Sequence, residues 1–585
     1  MTSLRQQELT AVLLGYLKQS QASGSTCGSV TSSLSVWLEE SFGKFSVYVD
    51  YQDLRALNEA FGSFQALDLL SASQVAQLTL TSGALNNADL ITMVFERLDG
   101  SNAFQDVDQF LTVLTQTSQV LNISPVVRDI MMNGTFQIIR LYFAEFTSYD
   151  WISWFTLKLS PVLPSLTAEM LQTVTSYTDC NAYHIIVGAL SSHFEQMTSL
   201  RQQELTAVLL GYLKQSQASG STCGSVTSSL SVWLEESFGK FSVYVDYQDL
   251  RALNEAFGSF QALNLLSASQ VAQLTLTSGA LNNADLITMV FERLDGSNAF
   301  QDVDQFLTVL TQTSQVLNIS PVVRDIMMNG TFQIIRLYFA KFPSYDWISW
   351  FTLKLSPVLP SLTAEMLQTV TSYTDCNAYH IIVGALSSHF EQMTSLRQQE
   401  LTAVLLGYLK QSQASGSTCG SVTSSLSVWL EESFGKFSVY VDYQDLRALN
   451  EAFGSFQALD LLSASQVAQL TLTSGALNNA DLITMVFERL DGSNAFQDVD
   501  QFLTVLTQTS QVLNISPVVR DIMMNGTFQI IRLYFAEFTS YDWISWFTLK
   551  LSPVLSSLTA EMLQTVTSYT DCNAYHIMYV TLSIC

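Results

Sequence analysis

The sequence predicts an all-α protein, a superhelical solenoid of short antiparallel helices built as three near-identical tandem units. Three observations carry that expectation. The segment Met1-Thr2-Ser3-Leu4-Arg5 recurs at Met197 and Met393, a period of 196 residues in a chain of 585, and a fixed period is the signature of repeat architectures. Apolar residues fall at three- and four-residue intervals almost throughout, the spacing of one helix face. The connections between these runs are short and carry no hairpin chemistry, so helices pack as antiparallel neighbours and the stack repeats.

Taken in order along the first unit, Leu4, Leu9, Val12, Leu13, Tyr16 and Leu17 form one apolar stripe, and Ser3 with Gln6 has the pattern of a capping box. Ala22 to Ser33, rich in Ser and Gly, reads as a loop. Helices follow over Ser35 to Phe42 and Tyr51 to Phe61, with Gly43 and Gly62 at their C-caps. Phe45 to Val49 is the best strand candidate and is too short to build a sheet. Ser71 and Gln74 form a second capping box ahead of a helix of at most two turns. Asn87 caps Ala88 to Leu98, and Phe104 to Leu121 carries Val107, Phe110, Leu111 and Leu114 on one face. Ser124-Pro125 sets a cap residue before a first-turn proline, opening a helix over Val126 to Met132 that Asn133-Gly134 closes. Helices over Phe136 to Phe146, Asp150 to Leu159, Thr167 to Thr175 and Asp179 to Gln196 complete about ten per unit.

The units are residues 1–196, 197–392 and 393–585. Copy two differs from copy one only in Asn264 for Asp68, Lys341 for Glu145 and Pro343 for Thr147. Copy three returns to Asp460, Glu537 and Thr539, has Ser556 for Pro164, and diverges from residue 578 as Met578-Tyr579-Val580-Thr581-Leu582-Ser583-Ile584-Cys585. The seam, Phe194 to Leu200, has no Pro, Gly or charged linker run, which favours continuous stacking over three separate globules. Because the opening residues are ordinary seam sequence without a modified polar cap face, the chain is expected to be part of a longer array.

Composition excludes several functions. Lys and Arg number 25 against 51 Asp and Glu, a net charge of −26 with no basic cluster, which argues against nucleic acid and against an anionic membrane surface as partner. No segment reaches the length of an apolar membrane span. There is no phosphate loop and no nucleophile elbow, and His184 and His193 lack the neighbours in sequence of a catalytic or metal-binding group. Asp99, Asp106 and Asp108 fail the calcium-loop pattern. No catalytic residue, metal or cofactor is therefore expected.

Each unit carries two cysteines, with Cys585 added by the tail. Cys180 with Cys223 and Cys376 with Cys419 would staple successive units across a seam, a shorter reach in a solenoid than Cys27 with Cys180. That choice leaves Cys27 and Cys572 unmatched within the chain, and it points to an oxidising compartment; buried free thiols are the other reading. Asn133 and its equivalents Asn329 and Asn525 are the candidate glycosylation acceptors, because Pro125 disfavours Asn122. The unit is rich enough in Asn, Ser and Thr for such triplets to arise by composition. Trp151 and Trp154, in the aromatic stretch Tyr149 to Phe155, would stack on sugars if exposed, but their helical spacing favours burial.

Phrases such as Leu70-Ser71-Ala72-Ser73-Gln74-Val75-Ala76-Gln77-Leu78 resemble the mesothelin, stereocilin and otoancorin group of extracellular superhelical proteins and related helical repeat proteins. The resemblance covers about a third of each unit and rests on the rhythm of short capped helices. It implies an armadillo-like superhelix at a cell surface or in extracellular matrix, with adhesion or glycan binding as its role. The expected function is thus non-enzymatic, multivalent binding of glycans or of an extracellular glycoprotein or matrix protein; an intracellular scaffold and a mechanical spacer are the alternatives. Non-reducing peptide mapping is expected to recover Cys180 linked to Cys223 and Cys376 linked to Cys419, and a Cys27 to Cys180 peptide would contradict the cross-seam arrangement.

Overall fold

A computed structural model describes residues 2–24, 33–117, 121–220, 223, 229–313, 317–416, 419, 425–509 and 513–584. Cys27, Cys585 and most of the Ala22 to Ser33 loop lie outside them. Among the described residues there are helices and turns but no strands. The first repeat has α1 (Ser3–Ala22), α2 (Leu34–Ser41), α3 (Tyr51–Leu57), α4 (Ala72–Thr81), α5 (Ala88–Leu98), α6 (Ala103–Gln116), α7 (Pro125–Ile139), α8 (Ser148–Ile152), α9 (Ala168–Thr175) and α10 (Cys180–Ser192). The same ten recur as α11 to α20, starting with Ser199–Ala218, and as α21 to α30, starting with Ser395–Ala414. Helices pack mainly on the element two positions along, α4 on α6, α5 on α7, α8 on α10 and α9 on α11, which is the packing of an α-solenoid.

The chain divides into two compact units, Met1–Leu274 and Thr275–Cys585. Each contains one sequence seam in its interior, so a seam is not a structural boundary. In the first unit α9 packs on α11 and α10 on α12 (Leu230–Ser237); in the second the equivalent helices do the same. Leu205, Leu209 and Leu213 are thereby fully buried, as are Leu401, Leu405 and Leu409. Tyr183 stacks on Tyr212 with centroids 4.3 Å apart and donates its hydroxyl to the Ser237 carbonyl at 2.8 Å. Arg201 donates to the Ser165 carbonyl at 2.7 Å and the Leu166 carbonyl at 3.1 Å. Cys180 and Cys223 form a disulfide with Cα atoms 5.3 Å apart, and Cys376 and Cys419 one with Cα atoms 5.2 Å apart.

Several boundaries depart from expectation for identifiable reasons. Asn133-Gly134 does not end a helix: α7 runs through it to Ile139. A Cβ on Gly134 would stand 2.4 Å from the Phe95 ring, so the glycine is there to let α7 approach α5. Gly62 is not a left-handed cap either. Helix α3 stops at Leu57 because Asn58 accepts a bond from the Ala60 amide and opens a 3₁₀ turn, Glu59–Gly62. Gly43 does adopt φ +51°, and the strand candidate after it is a 3₁₀ turn, Gly43–Tyr48. Helix α4 has the expected capping box but runs 10 residues, beyond two turns. The first capping box is absent from the internal copies. Thr198 is the cap, while Gln202 is buried, donating across the seam to the Phe194 carbonyl at 2.8 Å and accepting from Tyr244 of its own repeat at 2.8 Å.

Natural variation between repeats isolates one cap. Thr147 caps α8, and its amide and hydroxyl both donate to Asp150, at 2.8 and 2.6 Å; these bonds hold the Asp150 carboxyl below its ordinary range. In copy two Pro343 supplies neither donor, and burial pushes the equivalent Asp346 up instead. A carboxyl lowered on folding adds stability above the carboxylate range and loses it as pH falls, whereas a raised one does the reverse. Pro343→Thr is therefore expected to lower the Asp346 pKa in an NMR titration. Chemical denaturation should show stability relative to the parent increasing between about pH 3 and pH 6.

Candidate functional site

Trp151 and Trp154 cannot be the site. They are 3% and 2% exposed, packed in a cluster with Phe143, Phe146 and Phe155, so their rings fill the core and offer no face to a ligand. Asn133, Asn329 and Asn525 are exposed but sit mid-helix, not at a helix end, and the Thr135, Thr331 and Thr527 that complete their triplets are fully buried. The helix forms there because Thr135 and Phe136 face the core.

What the fold brings together is a cleft of about 880 Å³ near the end of the first repeat, recurring at about 670 Å³ in the second. The last turn of α6 contributes Thr112, Thr115 and Gln116, and the first turns of α7 contribute Arg128. After α8 the chain widens into a π-helical turn, Ser153–Lys158, in which the Leu159 amide bonds the Trp154 carbonyl at 2.8 Å. Such turns reset which side chains share a face, and here Ser153, Thr156 and Lys158 line the cleft. Lys158 pairs with Asp108 and lies 4.7 Å above the Trp154 ring. Trp154 thus serves the site from below, as the buried support of a cation.

The far wall is His193, the C-cap of α10. Its Nε2 is 3.0 Å from the Ser160 hydroxyl, and its Nδ1 is 3.0 Å from the Ala189 carbonyl. With Nδ1–H donated to that carbonyl, Nε2 accepts from Ser160. This pair is 33 residues apart in sequence and only the fold discloses it. Arg128 donates to the Ile123 carbonyl at 3.2 Å, yet its buried Nε has no partner, and the same holds for Arg324 and Arg520. An unpartnered buried donor costs roughly 1–3 kcal/mol, and this one recurs in every repeat.

The lining is therefore rich in hydroxyls and amides, with Lys158 paired to Asp108 and the Arg128 guanidinium beside it. Such a lining presents hydrogen-bond donors and acceptors to any hydroxyl or carboxylate that enters it. Among the described residues no group of three or more His, Cys, Asp or Glu could hold a metal, and no helix is long and apolar enough to cross a membrane. Fold and site together define an α-helical tandem-repeat protein in which the same hydroxyl-rich cleft recurs in the first two repeats. Comparison with protein-family models, curated protein sequences and solved structures returns no match.

Burial holds the His389 imidazole below its ordinary value of 6.5, and the nearby Arg324 charge acts in the same sense, against a raising contribution from Gln392. A histidine whose pKa falls on folding stabilises the native state above its unfolded value, and that contribution is lost as pH drops through 6.5 toward the folded value. The expected result is a His389 titration midpoint below 6.5 by NMR, moving back toward 6.5 in the Arg324→Gln variant.

Proposed function

We propose that this chain is a non-enzymatic extracellular repeat protein that binds glycans of a cell-surface or matrix glycoprotein through identical, individually weak clefts. The observation that carries the reading is the recurring cleft, with hydroxyl and amide lining and an arginine at the same position in both repeats. Arginine suits the planar carboxylate of an acidic sugar, and Ser, Thr and Gln side chains match sugar hydroxyls. Near-identity of the copies means that each added repeat adds valency, and linked weak sites gain avidity without any single strong one. The extracellular assignment rests on the cross-seam disulfides, which oxidising compartments sustain. The resemblance in helix rhythm to the mesothelin, stereocilin and otoancorin group supports the same direction.

The test is a glycan array probed with the full chain and with the Arg128→Gln/Arg324→Gln variant. The parent is expected to retain acidic glycans, and the variant to lose roughly tenfold or more in affinity with an unchanged melting temperature. Absence of any glycan signal, or equal binding by both proteins, would count against the reading.

A further inference from the structure

The hydrogen bonds inside the cleft have a direction, and that direction narrows what can enter it. A hydroxyl has one hydrogen to give and two lone pairs with which to accept, and threonines of the cleft have already spent their hydrogens on the backbone. Thr156 donates to the Ile152 carbonyl at 2.7 Å, and Thr115 to the Leu111 carbonyl at 3.0 Å. In the second repeat Thr352 donates to the Ile348 carbonyl at 2.7 Å, and Thr311 to the Leu307 carbonyl at 3.0 Å. Ser160 turns its hydrogen to His193 Nε2. What these oxygens retain for a ligand is lone pairs. Among the charged side chains, Lys158 is held by Asp108 and the Trp154 ring, which leaves the Arg128 guanidinium to meet an anion. No Asp or Glu among the described residues lines the cleft in either repeat, although acids outnumber bases 51 to 25 in the chain.

We propose that each cleft selects an unsulfated glycan segment, one that brings free hydroxyls and a single carboxylate, and discriminates against the sulfated form of the same chain. This selectivity rests on the glycan binding proposed for the same cleft. Sugar hydroxyls donate to the threonine and serine oxygens, while the carboxylate accepts from Arg128. A sulfate ester replaces a donating hydroxyl with oxygens that only accept. Set against a threonine lone pair, it forfeits a hydrogen bond and leaves two acceptors facing each other with no hydrogen between them. The net charge of −26 acts in the same sense, because it repels a densely charged polyanion more than a sparsely charged chain.

The experiment is calorimetric titration of the full chain with three oligosaccharides of equal length: unsulfated chondroitin, the same backbone carrying sulfate, and a neutral chain of N-acetylglucosamine. The unsulfated acid is expected to bind about fivefold or more tightly than either of the others. Thr156→Val/Thr352→Val removes one accepting oxygen from each cleft. It should lower affinity for the unsulfated acid about fivefold and shrink the preference over the sulfated form. Thr156→Ser/Thr352→Ser keeps the oxygen and should retain both affinity and preference. Thr115→Val/Thr311→Val repeats the test from the other wall if the first valine variant lowers the melting temperature. Equal or tighter binding of the sulfated oligosaccharide would overturn this selectivity while leaving glycan binding in place, and so would a folded valine variant with unchanged preference. Failure of both acidic oligosaccharides to bind would overturn the selectivity and the glycan-binding function together.

Discussion

The apolar stripe on the first helix of a repeat is only part-covered within its own repeat, and most of the architecture follows from how the preceding repeat completes the cover. At the internal seam α9 and α10 bury Leu205, Leu209 and Leu213 completely. Without a preceding repeat Leu17 is already buried while Leu9 and Leu13 are 41% and 37% exposed, so closing a seam removes about two-fifths of two leucines from water, about 1–2 kcal/mol, beside the typical 2–4 kcal/mol of a disulfide. Packing and the Cys180–Cys223 disulfide together hold the joint. The shared cover explains why the seam has no linker: a flexible spacer would separate faces that need one another. It also explains why the compact units ignore the sequence period, since each seam is the interior of a unit and not its edge.

Polar groups at the seam are as tightly specified as the leucines. Gln202 is buried with its amide shared between the Phe194 carbonyl and Tyr244. Tyr183 is wholly buried, and desolvation drives its hydroxyl far above the ordinary tyrosine range, so it stays a neutral donor to the Ser237 carbonyl. Gly239 meets Ser191 so closely that a Cβ there would lie 1.9 Å from the hydroxyl. A sheet of leucines alone would permit sliding by a helical turn; these directional contacts fix one register.

The cleft arises from the same geometry at a different level. A π-helical turn after α8 presents Lys158 and the serine and threonine hydroxyls on one side while Trp154 remains in the core. The C-cap of α10 then delivers His193 to Ser160. In copy three the divergent tail places Cys585 at the histidine register, and Ser556, in place of Pro164, accepts a bond from Arg520 at 3.0 Å. The third repeat therefore differs from the other two at the histidine register of the site and in what its arginine bonds.

The sequence by itself determined the helical class, the 196-residue period and the elements whose signals are local. The cap-and-proline start of α7 and the Ser71–Gln74 box are examples, because their donors and acceptors lie within one turn of chain. Reading failed where a residue type has two uses. Asn133-Gly134 looks like a helix stop until Phe95 is seen to need the missing Cβ, and Gln6 looks like a cap until its equivalent is found bridging a seam. The cleft was not legible at all: Arg128, Lys158 and His193 come from elements far apart in sequence, and no spacing rule connects them. Tertiary structure decided those matters because burial and close approach are properties of what lies opposite a residue, which the chain specifies only once it has folded.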